Sequence, residues 1–139
     1  MIKVAICDDD IQFIYKLEQS IFRFAEMKRI KVDVDGYTSG AEFIQKLQQS
    51  ERYDLLFLDI ELGDSSGIIV GNWIRSQIQY ESMQIVFVSA KEMYAMQLFD
   101  LRPMNFLVKP IQQERVDYIL DEYERLYQFQ PHIIEIGKG

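Results

Sequence analysis

Short apolar runs rich in β-branched residues alternate along this chain with longer stretches in which apolar residues recur every three or four positions. Ile2–Cys7 is a short run rich in β-branched residues, Leu55–Leu58 and the Ile-Val-Phe-Val within Gln84–Val88 are continuous apolar runs, and Asn105–Val108 predicts a further short strand. Lys31–Asp35 differs, because Val32 and Val34 alternate with Asp33 and Asp35. That is the period of a half-exposed strand, as found at a sheet edge. Between the runs lie amphipathic segments. Ile11–Met27 carries Phe13, Ile14, Leu17, Ile21 and Phe24 at helical spacing. Ser39-Gly-Ala-Glu42 is a capping box ahead of Phe43, Ile44 and Leu47. Ile68–Ile78 and Glu92–Phe99 predict helices, and Arg115–Tyr127 places Val116, Ile119, Leu120, Tyr123, Leu126 and Tyr127 on one face.

The order is strand then helix, five times over. Such alternation predicts a parallel sheet with helices on both faces. Continuous apolar strands fit that arrangement, since both of their faces are covered. The chain shows no internal repeat and no low-complexity segment. Its last ten residues break the pattern. Gln130-Pro131 ends the final helix, and His132-Ile-Ile-Glu-Ile136 then has strand character with no partner element after it.

Composition narrows the chemistry. At 139 residues the chain is the size of one domain, with 48% hydrophobic and 27% charged residues. Lys plus Arg is 15 and Asp plus Glu is 22, so the net charge is −7. That balance repels phosphate backbones and argues against direct nucleic-acid binding by this segment. With a single cysteine, Cys7, no internal disulfide can form. With a single histidine, His132, neither a His/Cys zinc site nor a Ser-His-Asp triad in the core is supported. No apolar run approaches the roughly 18–20 residues of a membrane span, and the N-terminus has no signal-peptide core. The chain therefore reads as cytoplasmic.

In an open α/β sheet, ligands bind beyond the carboxyl ends of the strands. The first strand is followed by Asp8, Asp9 and Asp10, the third by Asp59, the fourth by Ser89 and the fifth by Lys109. The sheet is expected to gather them at one rim. Carboxylates about 4 Å apart repel by about 4 kcal/mol at an effective dielectric near 20. A hard divalent cation removes that cost, and Mg²⁺ suits a few carboxylates plus a phosphate. Asp59, alone at a strand end, has the placement of a nucleophile that forms an acyl phosphate. Ser89 can donate a hydrogen bond to a phosphoryl oxygen, and Lys109 can neutralise another. Each residue has an ordinary reading too. Asp8–Asp10 can serve as a helix N-cap, and an Asp, Ser or Lys after a strand is commonly a turn residue. The argument rests on all of them occurring in this order, each directly after an apolar run. Lys109-Pro110 is a further coincidence, because an X-Pro bond allows the cis form, which would aim Lys109 inward.

These residues resemble the receiver domain of two-component response regulators over roughly residues 1–127. The resemblance rests on Ile-Cys-Asp8-Asp9, Leu-Phe-Leu-Asp59-Ile with Gly67 eight residues later, Val-Phe-Val-Ser89-Ala, and Phe106-Leu-Val-Lys109-Pro110. It implies a flavodoxin-like, doubly wound five-stranded parallel sheet in the order 2-1-3-4-5. It implies Asp59 as phosphoacceptor from a sensor histidine kinase, and Mg²⁺ held by Asp8, Asp9, Asp59 and the Glu61 main-chain carbonyl. It further implies Ser89 as switch hydroxyl and Lys109 as phosphate partner, placed beside Asp59. Such a domain is a signal receiver that catalyses only its own phosphotransfer and dephosphorylation. Two positions depart from the pattern. Gly63 stands where Pro is usual, which leaves the loop after Asp59 looser. Phe106 stands where the switch aromatic is commonly Tyr, and it lacks the hydroxyl. The tail His132-Ile-Ile-Glu-Ile-Gly-Lys-Gly is similar to the opening of a LytTR-type DNA-binding domain, as in AgrA-like and LytR-like transcription regulators. The resemblance thus divides the chain into a receiver over 1–129 and a linker with the start of a truncated output domain over 130–139. DNA would be contacted only through that output domain. A phosphorylation-linked homodimer would use the face of the last two helices, where Tyr94, Met96 and Tyr118 mix with Arg115, Asp117 and Glu122. That face reads equally as solvated surface.

Two other families share parts of the pattern. A flavodoxin-type FMN protein needs a Ser-, Thr- and Gly-rich phosphate loop where this chain has Asp8-Asp-Asp10. A haloacid-dehalogenase-type phosphohydrolase has an Asp two residues after its nucleophile, where this chain has Glu61. It also carries its acidic pair elsewhere.

Overall fold

The computed structural model describes residues 1–128. Five strands, β1 (Ile2–Cys7), β2 (Val32–Tyr37), β3 (Leu55–Asp59), β4 (Gln84–Ser89) and β5 (Asn105–Val108), form one parallel sheet in the order β2-β1-β3-β4-β5. Cys7 pairs with Tyr37 and Leu58, Asp59 with Val88, and Ser89 with Val108. This register aligns the carboxyl ends of all five strands along one rim. The alternating strand β2 lies at an edge, as its pattern predicts.

Helices α1 (Ile11–Lys28) and α4 (Gln113–Tyr127) cover one face. Their buried residues, Ile14, Leu17, Ile21 and Phe24 with Val116, Ile119, Leu120 and Tyr123, pack against Ile2, Val4, Ile6, Leu55, Phe57, Val86 and Val88. Helices α2 (Gly40–Gln48) and α3 (Gly67–Arg75) cover the other face, with Phe43, Leu47, Val70 and Ile74 against Ala5, Leu56, Leu58, Ile85 and Phe87. Successive residues of each central strand thus feed opposite cores, as the two-residue period of a strand requires.

Three features differ from expectation. The segment Ile68–Ile78 is helical only to Arg75. There the Ser76 hydroxyl donates back to the Trp73 carbonyl at 2.6 Å, and a single 3-10 turn, Ile78–Tyr80, follows. The element after β4 is a ten-residue 3-10 helix, Glu92–Leu101, rather than an α-helix. Its apolar residues fall into rows three positions apart. Leu98 and Leu101 are buried three positions apart, and Met93, Met96 and Phe99 form a second row at the same spacing, 71–85% exposed. A three-residue period eclipses side chains in a 3-10 helix. Finally, the buried stripe of α4 stops at Tyr123. Leu126 and Tyr127 are about half exposed, with Tyr127 leaning on the Tyr123 ring at 5.2 Å between centroids. The strand expected at His132–Ile136 lies outside the described residues.

Candidate functional site

The three consecutive aspartates after β1 divide their work. Asp10 caps α1, its carboxylate accepting from the Gln12 and Phe13 N–H groups at 3.0 and 3.4 Å. The cap reading is therefore right for Asp10 and leaves its neighbours available. Asp8 is buried, and one of its oxygens accepts from the Asp10 N–H at 2.8 Å. Asp9 is exposed. Asp59, at the end of β3, is 4% exposed. Asp8, Asp9 and Asp59 each offer a carboxylate oxygen within 4.8 Å of the others. Burial pushes the Asp59 carboxyl up to about 6, helped by the Asp8 charge and opposed by Lys109 and by the Glu61 main-chain N–H. This is a hard, all-oxygen donor set under mutual repulsion, and its chemistry fits Mg²⁺.

Lys109 enters from the β5–α4 connection, across the cis Lys109-Pro110 bond. Its ammonium bonds Asp8 at 2.8 Å and lies 3.8 Å from Asp59. It also sits 4.3 Å over the Phe13 ring. The expectation that it sits beside Asp59 is thus refined: it bridges both carboxylates and holds Asp8 the more closely. Asp8 is the more deeply buried of the two, and a charge that cannot reach water needs its ion partner most.

Ser89 is fully buried. Its hydroxyl accepts from the Lys91 N–H at 2.9 Å and donates to Glu61 Oε1 at 3.4 Å. The Glu61 carboxylate also pairs with the Lys91 ammonium at 3.2 Å. The side chain of Glu61 therefore ties the loop after β3 to the loop after β4, while its main-chain N–H faces Asp59. No pattern in the sequence signals that cross-link. Phe106 is half-buried against the core shared with α2 and α3.

The loop after Asp59 is tied down more firmly than the absence of Pro suggests. Glu61 bridges to Ser66, Leu62 is buried, and the Asp64 carboxylate accepts from the Gly40 and Ala41 N–H groups, both at 3.1 Å. Gly63 does not have a positive φ. It matters because a Cβ there would lie 3.1 Å from an Asp9 oxygen. At Gly67 a Cβ would run directly into the Asp59 carbonyl oxygen, so only glycine lets α3 start this close to β3. Asp64, five positions after Asp59, is a residue that sequence reasoning missed, since an Asp in a turn carries no distinguishing signal.

A parallel sheet of this order, with an acidic cluster, a strand-end hydroxyl and an inward lysine at its rim, defines a signal-receiving α/β domain. The chain matches the model of the response regulator receiver domain over residues 4–121, and it belongs to that family. It is related to the sensory transduction protein LytT of Bacillus cereus, 30% identical over 131 residues that cover 94% of this chain and 50% of LytT. It is also related to the sensory transduction protein LytR of Streptococcus agalactiae, 30% identical over 126 residues that cover 91% of this chain and 49% of LytR. The transcriptional regulatory protein YpdB of Escherichia coli is 28% identical over 128 residues that cover 92% of this chain and 50% of YpdB. The chain thus spans about half the length of these relatives. Among solved structures, the response regulatory domain of mrkE from Klebsiella pneumoniae superimposes with a TM-score of 0.78 at 23% identity, covering 92% of this chain and 99% of that one. A two-component response regulator from Clostridium difficile gives 0.74 at 25% identity, with 91% and 98% covered. Among the described residues no helix is long and apolar enough to cross a membrane.

Proposed function

We propose that this domain accepts a phosphoryl group on Asp59 from the phosphohistidine of a sensor kinase. The observation that carries the reading is the cluster itself: three carboxylate oxygens within 4.8 Å of one another, with the Lys109 ammonium between Asp8 and Asp59. An Asp59 oxygen attacks phosphorus, the phosphorus–nitrogen bond breaks, and the imidazole leaves with the electron pair and is protonated. Asp8, Asp9, Asp59 and the Glu61 carbonyl are the residues that would hold Mg²⁺, which supplies positive charge against the phosphoryl oxygens. Lys109 is close enough to Asp59 to stabilise the new anion. Ser89, whose hydroxyl points to Glu61, is the donor available to turn toward a phosphoryl oxygen. A half-buried Phe106 gives that movement an apolar side chain to displace or draw in.

In this reading residues 1–129 are the receiver. Residues 130–139 lead into a LytTR-type DNA-binding domain, and phosphorylation controls transcription through that domain and a homodimer. Tyr94 packs against the core, so of the apolar residues first assigned to the dimer face, Met96 and Tyr118 are the exposed ones. The phosphohydrolase alternative is disfavoured because the Glu61 carboxylate is engaged by Ser89 and Lys91 rather than free as a general acid.

Intact mass after incubation with acetyl phosphate and Mg²⁺ tests the central claim. The protein should gain one phosphoryl group, about 80 Da, labile to hydroxylamine. Asp59→Asn should gain none, and equal labelling of that variant would refute the assignment. Sedimentation equilibrium with and without beryllofluoride tests the dimer, which should tighten with the mimic bound.

A further inference from the structure

We propose that Asp64 is a positioning residue: its carboxylate clamps the loop 60–66 to the start of α2 and thereby holds the loop backbone against Asp59 and Asp9. The proposal rests on the reading that these carboxylates hold Mg²⁺.

The loop is fixed at its two ends by main-chain bonds. The Ile60 N–H donates to the Val88 carbonyl at 2.9 Å, and the Gly67 N–H donates to the Ile60 carbonyl at 2.8 Å. Between those points the chain faces two demands. Glu61 must keep its N–H on the Asp59 carboxylate, and Gly63 must pass close to the Asp9 carboxylate. Leu62 and Ser65 pack against Gly40, where a Cβ would meet them at 3.3 and 3.8 Å. That contact is apolar and non-directional. The directional ties are the Glu61 carboxylate, which reaches Ser89 and Lys91, and Asp64, whose two oxygens take the N–H groups of Gly40 and Ala41, residues 24 and 23 positions earlier; the second joins the loop to α2.

Capping alone does not explain this arrangement. The start of α2 already has a local cap, since the Ser39 hydroxyl accepts from the Glu42 N–H at 3.0 Å. Asp64 satisfies the two preceding N–H groups from another part of the chain, so it joins α2 to the loop as well as completing the helix. Nor is Asp64 a fourth ligand. Both of its oxygens are committed to N–H groups, which hold its carboxyl below the usual range. Among the described residues the acidic cluster comprises Asp8, Asp9 and Asp59 without it. Mg²⁺ demands near-ideal octahedral geometry, so a small displacement of the loop backbone should be felt in affinity. The clamp also explains how a loop with Gly63 in place of Pro is held.

Asp64→Ala and Ser39→Ala together test this in the 139-residue protein. Each removes a cap from the same helix end, but only the first frees the loop. Two quantities are read: Mg²⁺ affinity by titration calorimetry, and amide hydrogen exchange over residues 60–67 in metal-free protein. Asp64→Ala should weaken Mg²⁺ binding about fivefold, the equivalent of about 1 kcal/mol, and should speed exchange in the loop. Ser39→Ala should lower the thermal midpoint while leaving both quantities as in the wild type. Asp64→Asn retains one acceptor oxygen and should recover part of each, and it serves in place of Asp64→Ala if that variant does not fold. If Asp64 and Ser39 variants are indistinguishable in both quantities, the proposal is wrong. If the wild type itself binds no Mg²⁺, the metal reading falls, and the exchange comparison alone decides whether the clamp exists.

Discussion

The two faces of the sheet are built to different standards. On one, α1 and α4 run for 18 and 15 residues, each with a continuous buried stripe, and pack on each other as well as on the strands. Helix α1 is capped at both ends, by Asp10 and by Arg29 in the left-handed conformation. On the other face, α2 and α3 are nine residues each, and the third element is a 3-10 helix with no side-chain cap. These short units are also joined by long-range ties. Arg75 donates to the carbonyls of Leu101, Met83 and Arg102, and Asp64 reaches α2. The rim inherits this asymmetry. Asp8 and Lys109 lead into the long helices, whereas Asp59, Glu61, Ser89 and Lys91 lead into the short ones. One half of the rim is thus carried by long helices and the other by short elements joined through side-chain ties.

The largest effect should come from the firm face. Phe24→Ala removes a fully buried ring from α1 and should cost about 3–5 kcal/mol, read as a lower urea midpoint with global loss of exchange protection. A loss below about 2 kcal/mol would break the comparison. Leu98→Ala, under the 3-10 helix, should cost about 2–3 kcal/mol, the lower part of the usual range. Its exchange should quicken over Glu92–Leu101 while β1 and α1 stay protected. Uniform quickening would show that the two faces unfold as one.

Within the rim, Asp8→Ala should destabilise the metal-free protein by about 1–3 kcal/mol, because Lys109 loses its 2.8 Å partner. Asp9→Ala should leave the metal-free thermal midpoint unchanged or higher, because it removes repulsion at an exposed position. Both should abolish the rise in midpoint with millimolar Mg²⁺. Equal effects of the two in metal-free protein would deny the distinction between a paired and an unpaired carboxylate. The smallest change should follow Met96→Gln, at a side chain 85% exposed, which should stay within about 0.5 kcal/mol.

How much of this was legible follows the range of the interactions. The stripe Ile14–Leu17–Ile21–Phe24, the Ser39 half of the capping box and the alternating edge strand are local patterns, and each stands where it was read; the Glu42 carboxylate does not return to the Ser39 N–H. The residues that meet at the rim were legible as a set because each follows an apolar run, and a parallel sheet aligns such positions. The division of labour among Asp8, Asp9 and Asp10 was not legible, since three identical side chains in a row differ only in where the turn points them. The 3-10 form of Glu92–Leu101 was also hidden. Its rows of apolar residues, three positions apart, suit either helix.

Pattern along the chain was enough to state the βα order, the double covering of the sheet and the residues that stand at its rim, because strand and helix periods are properties of neighbouring residues. Which oxygen meets which proton was settled by packing alone. Lys109 reaches Asp8 across 101 positions, Asp64 reaches Gly40 across 24, and Glu61 reaches Ser89 across 28. Those distances close only when both cores have formed, so the charge balance of the site is a product of the folded sheet and of no single segment in it.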